Sequence, residues 1–225
     1  IRTNKLAENS INNHSRQLVL LSFTFSLLPF RILTMSEALI ISIFPTKWGW
    51  FGLAATENGV LKTCLPLKSR SAVEKEMIKV GRMGIGCSHQ SSLKGWYYEE
   101  PTFPKWLKPL EEGIKAYFDG TYGNIFTEIP VDLSSVNPFT RTVLTVCRQV
   151  PCGQTVTYAQ LAKMADKPKA IRAVATAVAN NPIPLIIPCH RVIRTDGGLG
   201  GFSAPGGIKC KQKLLDLERK YSPQE

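Results

Sequence analysis

Cys189 and His190 stand side by side in Pro184-Leu185-Ile186-Ile187-Pro188-Cys189-His190-Arg191-Val192-Ile193, a short run that delivers a thiol and an imidazole to one place. A thiol attacks carbon as thiolate. Its unperturbed pKa is about 8.5, so a neighbouring base or cation is the usual means of activation. His190 is the only histidine after His89. A lone cysteine in an apolar segment is ordinarily a core residue, but the adjoining His-Arg pair and the flanking prolines shift the balance toward nucleophilic chemistry. Leu185, Ile186 and Ile187, wholly apolar and bounded by prolines, read as a brief strand buried on both faces. Cys189 is then expected where that strand ends.

The elements around this stretch follow from spacing. Asn137 followed by Pro138 marks a helix start, with an N-cap and a proline at the first helical position, and the helix should run to about Val150 before Pro151-Cys152-Gly153 breaks it. Thr157-Tyr158-Ala159-Gln160 has capping-box spacing and opens a helix through Ala165. Asp166-Lys167-Pro168 is a turn, and Pro168 suits the start of a second helix ending near Asn180. Two short helices joined by a tight turn form a helix-turn-helix pattern. In the second helix Ala170, Ala173, Val174, Ala177 and Val178 share the core-facing stripe, while Lys169, Arg172 and Thr176 fall on another face. A last helix from Lys211 to Tyr221 carries Glu218, anchored by Leu214, Leu215 and Leu217.

The first half looks like scaffold. Apolar runs 50–55 and 60–65 flank Glu57-Asn58-Gly59, a hairpin signal, so an antiparallel sheet is expected. Ser71–Val80 and Pro104–Phe118 have helical spacing, the second with Trp106, Leu107, Leu110, Ile114 and Phe118 on one side. Ile125–Leu133 reads as a further strand, Gly81–Pro101 as loop and Ser134-Ser135-Val136 as linker. Nothing in this half suggests chemistry.

Charge separates the halves. Residues 35–136 carry eleven basic and eleven acidic side chains, whereas residues 137–225 carry thirteen and five, so the excess lies with the cysteine and suits phosphate contacts. The six cysteines show no C-x-x-C and no zinc-type Cys/His spacing, so no metal is expected, and a chain of 225 residues with this apolar content needs no disulfide staples. Residues 1–34 are expected to be an upstream extension outside the fold, Met35 being a plausible initiator. The competing view is a signal or anchor at Leu18–Leu33, which Pro29 and Arg31 interrupt.

Pro188-Cys189-His190-Arg191-Val192 resembles the active-site signature of the O6-methylguanine-DNA methyltransferases, closely over about Asn137–Tyr221 and more loosely over Ile43–Asp132. The resemblance implies an α/β fold: a ribonuclease-H-like sheet-and-helix domain (35–133), then a mostly helical, winged-helix-like DNA-binding domain (137–221) with a helix-turn-helix. It implies a DNA repair protein that flips a nucleotide out of the duplex and displaces the alkyl group of O6-alkylguanine, or O4-alkylthymine, onto Cys189. The thioether cannot be hydrolysed, so each molecule acts once, without a cofactor. His190 would take the thiol proton through a water and Glu218 would orient the imidazole. Tyr158 would donate a proton to the departing base, and Asn181 would brace the turn between recognition helix and active-site strand. Lys169, Ala170, Arg172 and Ala173 match the helix that enters the minor groove, with Arg172 filling the gap left by the flipped nucleotide. Thr140, Arg141 and Thr195 fall in phosphate-contact regions, and Tyr158, Val192, Phe202 and Ser203 match the pocket.

Ala204–Cys210 is about two residues longer than in many such proteins, so Lys209 and Lys211 compete for one family lysine. The structural zinc of some members has no matching Cys/His set. Double-stranded DNA carrying O6-alkylguanine is the expected partner of a monomer with no membrane role, in the cytoplasm or, in a eukaryote, the nucleus. The runner-up is an alkyltransferase-like sensor that binds alkylated DNA without transfer, against which Cys189 itself argues. A small-molecule cysteine hydrolase is the third alternative.

Overall fold

The computed structural model describes residues 17–21, 39–56, 58–78, 104–121 and 126–220 of the chain. The loop expected at 81–101 lies outside them. Four antiparallel strands run in the order β1 (Gln17–Leu21), β2 (Leu39–Thr46), β3 (Gly49–Thr56) and β4 (Gly59–Leu67). Side chains alternate across the central strands. Ile40, Phe44, Phe51, Leu53 and Leu65 face one layer, and Leu39, Ile41, Ile43, Ala54 and Cys64 face the other. Helix α1 (Arg70–Ile78) covers the second face through Val73 and Met77. Helix α2 (Leu107–Asp119) covers the first with Leu110, Ile114, Tyr117 and Phe118, which recur at helical spacing.

The hairpin between β3 and β4 is present, with Thr56 paired to Gly59. Gly59 therefore opens β4 instead of sitting inside the turn. Its φ is +140°, and a Cβ there would lie 2.5 Å from the Pro130 carbonyl carbon, so only glycine fits. That close approach replaces the strand expected over 125–133: in the described part of that segment, one isolated bridge joins Val131 to Val60. Part of the stretch expected to lie outside the fold also pairs with it, since β1 runs antiparallel to β2 from Gln17↔Ile43 to Leu21↔Leu39. An apolar run next to an open sheet edge has unpaired backbone to meet.

The second half is helical. Helix α3 (Pro138–Cys147) begins at the Asn137 cap, whose side chain accepts from the Thr140 amide at 2.8 Å. Thr157 and Gln160 form the expected capping box at the start of α4 (Tyr158–Met164). The next helix, α5 (Ile171–Ala179), starts later than Pro168, which lies in the preceding turn with Lys169. A short parallel pair joins β5 (Val156–Thr157), just before α4, to β6 (Val192–Ile193), after α5, and α6 (Gly207–Arg219) comes last. Val143, Leu144, Leu161, Val174, Ile183, Ile187 and Leu214 join the core that lines the inner sheet face, so one apolar cluster runs through both halves.

Candidate active site

Leu185–Ile187 is buried as expected but forms no strand. Leu185 has φ +80°, and a bridge between Pro184 and Ile187 closes a tight turn. Prolines at 182, 184 and 188 remove the backbone donors that a ladder would need, so the segment satisfies itself locally. Asn181 pins it, donating from Nδ2 to the Ile187 carbonyl at 2.8 Å and accepting from the Ile183 amide at 3.0 Å. The sheet pins it from outside: in β4, the Thr63 amide donates to Pro182 O at 3.0 Å and its hydroxyl to Pro184 O at 2.6 Å. Cys189, His190 and Arg191 then form one buried 3-10 turn.

Glu218 reaches this turn from α6. His190 Nε2 lies 2.8 Å from Glu218 Oε1, and Arg191 holds both carboxylate oxygens, Nε to Oε2 at 2.9 Å and Nη2 to Oε1 at 2.8 Å. Tyr117 donates its hydroxyl to Oε1 at 2.7 Å and the Gly153 amide donates to Oε2 at 3.2 Å. His190 and Glu218 are fully buried. Burial alone would raise the Glu218 carboxyl, but hydrogen bonds and charge from His190 and Arg191 outweigh it and hold the group well below the usual carboxylate range. An ionised carboxylate only accepts, so His190 carries its proton on Nε2 and keeps the Nδ1 lone pair. Among the described residues Nδ1 has no hydrogen-bond partner. Burial, with positive charge from Arg191 and Lys211, lowers the imidazole below its ordinary value against the pull of Glu218. A neutral, oriented base results.

The Cys189 thiol is raised by burial, opposed by a hydrogen bond from Asn181 and the charge of Lys211. Of the two competing lysines, Lys211 is fully buried and Lys209 exposed. Lys211 Nζ donates to Val192 O at 2.6 Å and Leu199 O at 2.5 Å, and burial lowers it to about 8. A cleft of about 130 Å³ opens beside Cys189, between Thr63–Leu65 of β4 and Asn181, Pro184 and Ser203. Among the described residues no group of three His, Cys, Asp or Glu side chains is placed to hold a metal.

The 6-O-methylguanine DNA methyltransferase, DNA binding domain family matches residues 138–220. A methylated-DNA–protein-cysteine methyltransferase of Mycolicibacterium paratuberculosis is 36% identical over 136 residues, covering 60% of this chain and 77% of that protein. The chain belongs to the methylated-DNA–protein-cysteine methyltransferase family. A relative of that name from Methanothermobacter thermautotrophicus is 37% identical over 122 residues, 54% of this chain and 66% of its own, just under two thirds. The crystal structure of Mycobacterium tuberculosis O6-methylguanine methyltransferase superimposes with a TM-score of 0.58 at 25% identity, covering 81% of this chain and 94% of that one. Another structure of the mycobacterial protein, in complex with DNA, gives 0.57 at 26% identity, covering 80% and 93%.

In this family member the remaining expected residues divide. Tyr158 is half-buried at the first position of α4, where burial and then the neighbouring Cys189 and Cys147 raise its phenol. Val192 is fully buried and Phe202 half-buried. Ser203 lines the cleft, though its hydroxyl donates to the Ala179 carbonyl at 2.5 Å and so ties the cleft to the end of α5. Lys169, Arg172 and Thr195 are exposed. The core-facing stripe of α5 narrows to Val174, Ala177 and Val178, whereas Ala173 is exposed and Ala170 is a half-buried cap. The first turn of this helix projects beyond the core. Thr140 is buried, with its amide occupied by the Asn137 cap, and Arg141 donates to the carbonyls of Leu133 and Ser134. Both therefore hold α3 to the segment before it. Tyr117, Gly153 and Thr63 escaped the sequence reading. Tyr117 sits in an apolar helical stripe, and the one available signal was that a buried phenol needs a partner for its hydroxyl.

Proposed function

We propose that this protein moves the alkyl group of O6-alkylguanine in double-stranded DNA, and of O4-alkylthymine, onto Cys189, once per molecule. The observation that carries the proposal is the buried Cys189-His190-Arg191 turn locked to Glu218 beside a helix-turn-helix. His190 Nδ1 takes the thiol proton through a water, and the thiolate attacks the alkyl carbon. The carbon–O6 bond breaks, guanine leaves with the electron pair, and Tyr158 supplies its proton. Glu218 keeps the imidazolium oriented and compensated. Asn181 holds the turn, while Val192, Phe202 and Ser203 border the base. No cofactor enters this scheme.

An alkyl carbon inside a duplex is out of reach, so the nucleotide must be extruded at a cost of a few kcal/mol. Lys169 and Ala170, just before α5, and Arg172 and Ala173, on its projecting first turn, suit entry to the minor groove, where small side chains allow close approach and Arg172 fills the stack. Thr195 and Arg141 are exposed and suit phosphate contacts. The fold suits a ribonuclease-H-like unit (35–133) followed by a winged-helix-like unit (137–221), with the Arg194–Gly198 turn after β6 as the wing. Every relay residue comes from one chain, which supports a monomer, and DNA as substrate puts its work in the cytoplasm, or in the nucleus of a eukaryote.

Intact-mass spectrometry after mixing with excess duplex carrying one O6-methylguanine tests this. One added methyl on Cys189, saturating at one per molecule and lost in Cys189→Ala, is expected. Binding without a mass change would instead identify a sensor.

A further inference from the structure

Among the described residues, one side chain of the first half reaches the proposed relay. Tyr117 is fully buried on α2 among Phe118 and Phe126, and its hydroxyl could have been satisfied by a backbone carbonyl. Instead it donates at 2.7 Å to Glu218 Oε1, the oxygen that also faces His190 Nε2 at 2.8 Å and Arg191 Nη2 at 2.8 Å. We infer that Tyr117 is a positioning residue of the transfer reaction, its phenol setting how strongly Glu218 holds the imidazolium formed when Cys189 loses its proton. The inference rests on the His190 relay proposed above.

Donors on one carboxylate oxygen compete for its charge. Each one that is added stabilises the anion and weakens its pull on the neighbouring imidazole, and each one removed strengthens that pull. Oε1 is the contested atom because three donors converge on it, whereas Oε2 serves Arg191 and the Gly153 amide. Other groups also face this cluster: Arg191 from its own turn, Lys211 from α6 and Cys152 from the segment before β5. Arg191 and Lys211 disfavour imidazolium, as the phenol does. Tyr117 does not itself deliver a proton, because burial and the Glu218 charge raise its phenol well above the ordinary value. Its effect passes through the carboxylate.

The test is the single-turnover rate of methyl transfer to Cys189, with protein in excess over methylated duplex, from about pH 5 to 9, where a histidine changes charge. In the native protein the rate falls on the acid side as His190 becomes protonated. Tyr117→Phe keeps the ring and removes the donor, so His190 holds its proton more tightly. The acid limb moves up by about half a pH unit, and transfer on that limb drops about threefold relative to the plateau. Replacing Tyr117 by 3-fluorotyrosine strengthens the donor at nearly constant shape and moves the limb the other way. This second variant keeps the proposal exposed to refutation should Tyr117→Phe fold poorly. A uniform loss of rate at every pH, with the limb unmoved in both variants, would mean that Tyr117 only packs and would overturn the inference. His190→Asn is run in parallel. A limb abolished there but unmoved in the Tyr117 variants removes only the role of Tyr117, whereas a limb that persists in His190→Asn removes the relay and this inference with it.

Discussion

Glu218 is the residue on which most of the buried polarity converges. With His190, Arg191, Tyr117 and the Gly153 amide all directed at it, its charge is both necessary and well compensated. Replacing it by Gln keeps the shape, removes the charge and strands Arg191, which is buried with its remaining bond to Val150 O. Glu218→Gln should therefore destabilise the protein by about 3–5 kcal/mol, read from the urea midpoint at neutral pH, and should slow transfer strongly because the imidazole loses its orienting partner. The sign of the pH effect follows from the folded-state shift. A carboxyl held below its ordinary value contributes stability above the unfolded value of about 4, and that contribution is lost as pH falls toward the folded value. The stability gap between native protein and Glu218→Gln should accordingly narrow below about pH 4, and a gap independent of pH down to about 3 would contradict the assignment.

At the scale of elements, α5 illustrates how periodicity and tertiary placement divide the work. Its small residues gave the stripe, but only Val174, Ala177 and Val178 meet the core, so the start of the helix, with Arg172 and Ala173, stands clear. Arg172→Ala should weaken binding to duplex DNA and reduce by about one the slope of log affinity against log salt if it neutralises a phosphate. If it fills the stack instead, binding to undamaged duplex should change little while transfer from the lesion slows. Gel shift across salt concentrations and the mass-based transfer assay separate the two. The caps at Asn137 and Thr157 were legible because each depends on three or four neighbouring residues and on nothing distant. The expected strand before Cys189 was not, because an apolar run between prolines encodes burial without encoding whether the backbone extends or turns. Leu185 at positive φ is held there by Asn181 and Thr63.

For the whole molecule, the continuous core joining the inner sheet face to α3, α4, α5 and the Cys189 turn predicts that the halves unfold together. All four tryptophans lie in the first half, at 48, 50, 96 and 106, and Cys189 lies in the second. Tryptophan fluorescence and mass-mapped labelling of Cys189 in urea should give coincident midpoints. Separated transitions would show that the sheet and the DNA-binding half are independent.

The sequence by itself determined the adjacent Cys189-His190 pair, the basic second half, the two short helices joined by a turn, the caps at Asn137 and Thr157, and through the Pro188–Val192 signature the family. These are features of residue type and short spacing, which local chemistry reads directly. Only the tertiary structure decided that Tyr117 and Thr63, from a half without visible chemistry, reach Glu218 and the Cys189 turn, and that Lys211 and not Lys209 is buried beside Val192. Those pairings span up to 121 residues of chain. A hydroxyl or an ammonium finds its partner there through packing of the whole core, and no local pattern carries that information.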